Sequence, residues 1–267
     1  MGADIKNLRT RMKSVNSTLH LTKAMGLVAS SKIRRAIDSM TKGREYAEAV
    51  SETVKQLTAS SECIKSPYMA KRDGGRVRII VIAGDRGLAG GYNANVFRLM
   101  NEYPDAEIIP IGKRACERFS GELQLVEQFG YDDAKALSSR LCDDFSKGEF
   151  DRLGIVCTKY VSMMSQEAQL EWVLPLEKSE EQKNVGIVFE PDEISVLNEV
   201  IPEYVAGIMY AAVKESFASE VAARRVAMDS AGKNAQQMLD ELGLMYNRAR
   251  QGAITQEITE IVAGSDA

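Results

Sequence analysis

Apolar or small side chains recur at spacings of three and four residues along the N-terminal part of the chain. The two spacings alternate without a break, which is the heptad pattern of helices that wrap around another helix. No proline occurs before Pro67, so one helix from about Asp4 to Thr58 is predicted. At ~1.5 Å per residue it would be roughly 80 Å long, too long for the core of a compact domain of this size. Its predicted contact positions are Ile5, Leu8, Met12, Val15, Leu19, Thr22, Gly26, Ala29, Ile33, Ala36, Met40, Gly43, Ala47, Val50, Val54 and Leu57.

The C-terminal part of the chain carries the same spacing, and no proline follows Pro202. Proline is tolerated in the first turn of a helix, where its missing N–H costs nothing. Pro202 is therefore predicted to begin a helix that ends at about Val262. Two long helices at opposite ends of one chain most simply pair antiparallel. The predicted contact positions of the second helix are Phe217, Val221, Arg224, Met228, Ala231, Ala235, Met238, Leu242, Met245, Ala249 and Gly252.

The middle of the chain has a different pattern, in which short β-branched runs alternate with helical spacing. This alternation favours a doubly wound (Rossmann-like) α/β domain. The predicted fold is thus a long antiparallel two-helix coiled coil with this domain inserted, divided into residues 1–60, 75–200 and 202–267. The predicted strands are 76–83, 107–111, 153–158, 169–176 and 185–190, and the predicted helices are 92–101, 114–119 and 132–146.

Composition excludes several classes of function. A net charge of −4 and an aromatic content of 6% argue against nucleic-acid binding by the whole chain. No run approaches the ~18 consecutive apolar residues of a membrane span, and the N-terminus lacks the apolar stretch of a secretory signal. A soluble, cytosolic protein is therefore expected. Four widely spaced cysteines and a single histidine, His20, offer no clustered metal ligands and no catalytic triad.

A glycine-rich segment, Gly84 to Asn93, follows a predicted strand and precedes a predicted helix. Phosphate-binding loops occupy this place in α/β proteins. The segment lacks both the G-x-G-x-x-G order and the lysine of a P-loop, and Arg86 is its only cation. We interpret it as a tight turn that needs glycine geometry, with nucleotide binding as the alternative.

The N-terminal helix is strongly basic, since Asp4 is the only acid in the first 37 residues. This charge indicates either a solvated helix face or a surface for an acidic protein partner. The basic residues are Lys6, Arg9, Arg11, Lys13, Lys23, Lys32, Arg34 and Arg35.

Several residue strings, in the same order along the whole chain, resemble the gamma subunits of F-type ATP synthases. The C-terminal strings are the most specific. The strings are Thr22–Met25, Val28–Lys32, Asp85–Leu88 with Gly90 and Gly91, Tyr246–Gln251, and Ile254–Val262.

The resemblance implies a central rotor shaft that couples ion flow through the membrane c-ring to ATP synthesis or hydrolysis in the alpha and beta subunits. It implies no catalytic site and no cofactor. The implied partners are three alpha and three beta subunits, the epsilon subunit and the c-ring, without nucleic acid and with membrane contact only through the c-ring. The implied location is the cytoplasmic face of a bacterial-type cell membrane, as a peripheral part of the F1 sector.

The resemblance also implies which shaft residues contact the alpha and beta subunits. Met25, with Lys23 beside it, matches the position that faces an acidic loop of beta. The positions matched to coupling residues of the shaft, with Arg250 adjoining them, are Arg224, Gln251, Thr255 and Glu260. The chain departs from the family at Ala89, where cysteine is common, and at Gly26, and it lacks the cysteine-paired insert of chloroplast gamma subunits.

Two other classes of protein share part of this pattern. A free-standing coiled-coil scaffold would explain the heptads, and a nucleotide-dependent α/β enzyme would explain the glycine-rich segment. Neither explains the C-terminal strings. The sequence leaves open whether the driving ion is H⁺ or Na⁺ and whether ATP is mainly made or hydrolysed.

Overall fold

The computed structural model describes residues 2–72, 74–179 and 189–265. The chain divides into two units, residues 1–30 with 225–267 and residues 31–224. The three-part division predicted from the sequence stays a prediction. The main elements of the described residues are α1 (Gly2–Thr58), β1 (Val77–Ile82), α2 (Tyr92–Met100), β2 (Glu107–Ile111), α3 (Lys113–Phe119), α4 (Tyr131–Ser146), β3 (Arg152–Tyr160), β4 (Gln166–Leu174) and α5 (Glu193–Ser265).

The central strands form a mixed four-stranded sheet in the order β2-β1-β3-β4. Strand β1 pairs parallel with β2 and β3, whereas β4 returns antiparallel along β3. The predicted strands 76–83, 107–111, 153–158 and 169–176 correspond to these four. Strand β4 begins earlier than predicted because it forms a hairpin with β3. Most of the predicted strand 185–190 lies outside the described residues.

Both faces of the sheet are covered, as the prediction of a doubly wound domain requires. Side chains of β1 alternate between two cores because successive strand residues point to opposite faces. Ile79 packs in a cluster with Val96 of α2 and Ala115 of α3. Ile80 packs on the other face, in a cluster that contains residues of α4 and α5. One face of the sheet is therefore covered by α2 and α3, and α4 and α5 pack on the other.

The contact positions predicted for α1 are confirmed in both units. In residues 1–30, Leu19, Thr22, Gly26 and Ala29 are buried. In residues 31–224 the buried contact positions of α1 are Ala36, Met40, Gly43, Ala47, Val54 and Leu57. A gap-free heptad pattern was sufficient to identify the buried face of a 57-residue helix.

The prediction that Pro202 begins the second long helix is wrong, because α5 begins at Glu193 and Pro202 lies inside it. Asp192 precedes the helix, and its carboxylate accepts hydrogen bonds from the amide and the hydroxyl of Ser195 (2.9 and 2.8 Å). These bonds lower the pKa of Asp192. Asp192 is thus the N-terminal cap that marks the start of α5, and the proline at 202 led the prediction to a later start.

The predicted contact positions of α5 are half correct beyond Arg224. Met228, Ala235 and Leu242 are buried, as predicted. Met238 and Met245 are instead exposed (39% and 54%), as is Gly252. Ala249 is half-buried, as predicted, and the other less exposed positions are Leu239, Tyr246 and Ala253. Both series have heptad spacing and share every seventh position, so the spacing alone did not decide between them.

Helices α1 and α5 pack antiparallel within each unit. In residues 31–224, Gly43 of α1 lies against Ala211 of α5, and Tyr46 lies against Gly207. In the other unit, Gly26 lies near Met228. Residue numbers rise on one helix as they fall on the other, which confirms the predicted antiparallel pairing.

Among the described residues one helix, α5, is long and apolar enough to cross a membrane. Its most apolar window has a mean hydropathy of 1.2 and is 44% buried. Core helices of soluble proteins have the same composition. Leu197, Ile201 and Val205 of α5 lie in the larger core cluster of the α/β domain. The apolar character of this part of α5 is therefore explained by packing inside the protein.

The antiparallel pairing predicts a specific disulfide. A Cβ atom built on Gly43 would lie 3.9 Å from the Cβ of Ala211, within the roughly 3.5–4.5 Å range of disulfides. We expect the Gly43→Cys/Ala211→Cys variant to oxidise completely, as measured by a mobility shift on non-reducing gels. The matched control is Glu45→Cys/Ala211→Cys, in which the first cysteine is on the exposed side of α1 and no link should form. Equal linking in both variants would contradict the arrangement.

Candidate functional site

The glycine-rich segment forms a loop, residues 84–91, between β1 and α2; it is called the glycine loop below. Asp85 organises its surroundings by accepting three backbone hydrogen bonds. One carboxylate oxygen accepts from the amides of Val126 (2.9 Å) and Lys113 (3.2 Å), and the other accepts from the amide of Glu127 (3.0 Å). The aspartate therefore joins the glycine loop to the segments around α3.

Amides of the glycine loop that could face a phosphate are bonded to side chains of this chain. The amide of Gly84 donates to Oδ1 of Asn93 (2.8 Å), and the amide of Arg86 donates to Oε1 of Glu220 (3.3 Å). A Cβ atom on Gly84 would lie 2.7 Å from Cδ of Glu220, so only glycine fits there. These contacts favour the interpretation of the loop as a tight turn.

Arg224 of α5 also contacts the glycine loop. Its guanidinium donates to the carbonyl oxygens of Arg86 and Gly87 (3.3 Å each) and forms an ion pair with Glu220. Glu220 is 1% exposed. Buried charges are tolerated when they are paired and hydrogen-bonded, as both are here. Arg224 was expected to contact a partner, and its guanidinium also has a role within the chain.

One turn before Glu220, α5 is hydrogen-bonded to the end of β3 and to α2. The amide of Thr158 donates to Oγ of Ser216 (3.1 Å), and Ser219 donates to the carbonyl of Thr158 (3.0 Å). The hydroxyl of Tyr92 donates to the carbonyl of Ser216 (2.9 Å), and burial raises the pKa of this tyrosine. Ser216, Ser219, Glu220 and Arg224 thus form one polar face of α5, called the polar joint below.

Sequence reasoning missed Ser216, Ser219 and Glu220. A signal was present, because Ser219 and Glu220 lie three and four residues after Ser216 and so share one face of the helix with it. Such spacing fits a polar stripe on the solvent side equally well. Burial of the stripe depends on the position of the sheet, which no local pattern shows.

The predicted contact residues on α1 lie in the unit formed by 1–30 and 225–267. Lys23 is exposed and Met25 is half-buried. Neither belongs to the buried series that packs against α5. Both positions therefore leave side-chain surface open to another protein.

The predicted contact residues at the end of α5 are all exposed: Arg250, Gln251, Thr255 and Glu260. Thr255 donates to the carbonyl of Gln251 (2.9 Å), one turn earlier in the helix. Exposed apolar side chains stand among them, including Ile254, Ile258 and Ile261. A surface that mixes exposed isoleucines with polar groups is typical of a protein–protein interface.

The described residues contain no group of three or more His, Cys, Asp or Glu side chains that could hold a metal ion. His20 is exposed on α1. All four cysteines are buried, and burial raises the pKa of Cys142 and of Cys157 to about 12. These two thiols are therefore protonated at neutral pH.

The chain is similar to known proteins along nearly its whole length. The profile of a family described as ATP synthase matches residues 4–267. The ATP synthase gamma chain of Ruminococcus albus is 41% identical over 98% of this chain and 98% of its own length. This chain belongs to the family of ATP synthase gamma chains. The sodium-ion-specific gamma chain of Acetobacterium woodii is 36% identical over 100% of this chain and 99% of its own length.

The fold agrees with that of a chain of low sequence identity in a solved ATP synthase. A chain in the mitochondrial ATP synthase of Euglena gracilis, solved as an assembly of OSCP, F1 and the c-ring, matches with a TM-score of 0.71 at 19% identity. The match covers 100% of this chain and 95% of that one. A gamma chain is a non-catalytic subunit of ATP synthase, in its central stalk, and a component of the membrane-associated F1 sector.

The geometry of the glycine loop predicts that the purified gamma chain does not bind ATP tightly. The amides of Gly84 and Arg86 are already bonded to side chains. Titration calorimetry with ATP should detect no micromolar binding in the wild type and give the same trace for Arg86→Ala. Micromolar binding that disappears in Arg86→Ala would show a nucleotide site at the loop.

Proposed function

We propose that this gamma chain is the rotating shaft that couples ion flow through a c-ring to ATP synthesis or hydrolysis in alpha and beta subunits. The observation that carries the proposal is the exposed C-terminal part of α5, where polar contact residues alternate with exposed isoleucines. A shaft that binds the successive conformations of a beta subunit unequally changes their nucleotide affinity. Torque also needs a stiff element, which a pair of packed helices provides.

We assign the partners from the resemblance to gamma subunits and from the exposed surfaces of the helices. The proposed partners are three alpha and three beta subunits around the coiled coil, and an epsilon subunit and the c-ring at the α/β domain. Exposed cations on α1, such as Arg9, Arg11 and Lys13, would face acidic loops of beta. Attraction between these opposite charges would guide the shaft into its place. In the proposed division into 1–60, 75–200 and 202–267, the two shaft segments flank the domain at the ring, and the first part of α5 also packs in that domain.

The residues proposed to contact the alpha and beta subunits are the seven named from the sequence: Lys23, Met25, Arg224, Arg250, Gln251, Thr255 and Glu260. The proposed location is the cytoplasmic face of the cell membrane. The driving ion is set by the ring, and one relative is named as sodium-specific while another carries no ion in its name.

Purification of the native complex tests this function. An affinity tag on the gamma chain should recover alpha and beta chains in a 3:3:1 ratio with it, because one shaft serves three alpha–beta pairs. The ratio is measured by quantitative mass spectrometry, and ion dependence is measured with ATP-driven pumping in vesicles. Recovery of the gamma chain alone, from cells that contain the alpha and beta chains, would favour the free-standing scaffold.

Met25→Lys should damage coupling more than folding. Met25 is half-buried and outside the packed series of α1, so the change leaves the core intact. A new ammonium group against an acidic loop of beta would add an ion pair in one rotational state. Such a pair contributes up to ~1 kcal/mol when exposed and more when partly desolvated. ATP hydrolysis should therefore persist while the number of ions pumped per ATP falls.

The controls for Met25→Lys separate charge from position. Met25→Gln keeps the length without the charge, and Leu27→Lys places the same charge on a side chain that is exposed in this chain. Both should pump like the wild type, as measured by paired hydrolysis and pumping assays. Unchanged pumping in Met25→Lys at equal hydrolysis, or a complex that fails to assemble, would contradict the prediction.

A further inference from the structure

Glu220 is a buried carboxylate placed between α5 and the glycine loop. It accepts a hydrogen bond from the amide of Arg86 and is paired with Arg224 one turn later. Burial of an ion pair gives little net stability, because the cost of removing both charges from water offsets their attraction. A carboxylate in this place is therefore better explained by the geometry that it fixes than by stability.

The polar joint constrains α5 more narrowly than apolar packing does. Apolar contacts are non-directional, whereas hydrogen bonds and ion pairs require a defined geometry. Glu220 instead accepts from a loop amide while Arg224 donates to loop carbonyls, so donors and acceptors of the loop backbone are both bonded to α5. One turn earlier, the hydroxyl of Ser216 accepts from the amide of Thr158 at the end of β3, and the carbonyl of Ser216 accepts from the hydroxyl of Tyr92. Groups on three successive turns thus fix the rotation of α5 relative to the sheet.

We propose that Glu220 is a positioning residue for torque transmission, because it locks α5 to the glycine loop so that the helix and the α/β domain turn together. Helix α5 runs unbroken from Glu193 to Ser265, so a twist that the joint resists at Glu220 is carried along the same helix. This inference rests on the proposed rotor function. It adds a residue that acts through its own chain and contacts no other subunit.

The first test removes the lock in the assembled complex. Glu220→Gln keeps the size and an acceptor for the Arg86 amide but loses the ion pair, and Glu220→Ala loses both. We expect ATP hydrolysis to continue while the ions pumped per ATP fall, more in Glu220→Ala than in Glu220→Gln. The matched control is Asp229→Ala, which removes an acid with the same i,i+4 cation partner, Lys233, from an exposed face of α5. It should pump at the wild-type ratio.

The second test replaces the lock by a covalent bond. A Cβ atom on Gly84 would lie 3.1 Å from Cγ of Glu220, the atom whose place a cysteine sulfur would take. In a disulfide, a Cβ atom lies about 3.0 Å from the sulfur of the other cysteine, given an S–S bond of about 2.04 Å. The Gly84→Cys/Glu220→Cys variant should therefore form a disulfide between loop and helix. The native cysteines are buried and do not compete.

Oxidation and reduction of this double variant separate coupling from folding. We expect a low pumping ratio under reducing conditions and recovery towards the wild-type ratio after oxidation, with hydrolysis active in both states. Glu220→Cys alone, which keeps Gly84 and has no partner thiol at the loop, should pump at the low ratio in both redox states. If the contact between Glu220 and the glycine loop served only folding, its loss would change the amount of assembled complex and leave the number of ions pumped per ATP unchanged.

Three results would overturn the proposal. They are a wild-type pumping ratio in Glu220→Ala, a ratio in the double-cysteine variant that does not respond to oxidation, and loss of assembly in all Glu220 variants without rescue by the disulfide. Failure of the rotor function itself would appear elsewhere. The wild-type complex would then not pump, or the gamma chain would not be recovered with alpha and beta chains.

Discussion

The close approach of α1 and α5 is the constraint on which the rest of the structure depends. A Cβ atom on Gly43 would lie 3.5 Å from the Cα of Ala211, and one on Gly207 would lie 3.0 Å from the ring of Tyr46. A side chain larger than cysteine at Gly43 would force the helices apart, and any side chain at Gly207 would displace the ring of Tyr46. Glycine inside a helix costs about 1 kcal/mol relative to alanine. The close packing of the α1 and α5 backbones, which glycine permits, offsets that cost.

Helix α5 packs in two different environments along its length. Near its start it is a core helix of the α/β domain, with Ile201 and Val205 fully buried, and its composition there approaches that of a membrane span. Beyond Arg224 it carries only a narrow buried stripe, with exposed residues such as Gln251 and Ile258 on most of its surface. One uninterrupted helix thus belongs both to the domain and to the coil, which is why a device that fixes its rotation has mechanical value.

The parts of this structure that repeat in the sequence could be predicted, and the parts that depend on a single contact could not. The buried face of α1 followed from its heptads, and the strands followed from short β-branched runs. The start of α5 was missed because Pro202 resembles a helix start, whereas the actual cap is Asp192. The buried face of α5 was half missed because Met238 and Leu239 both continue a heptad. The predicted contact residues came from resemblance, and their role at a partner stays a prediction.

The polar joint explains why the glycine loop resembles a phosphate site. In open α/β sheets, ligands bind outside the carboxyl ends of the strands where the strand order reverses, which here lies between β1 and β3. The loop after β1 supplies the amide of Arg86 at that place, and α5 supplies Arg224, the kind of group that binds an anion. The anion that they bind is the carboxylate of Glu220. The ligand crevice of the sheet is therefore occupied by a helix of the same chain, and a geometry suited to holding a nucleotide holds the shaft instead.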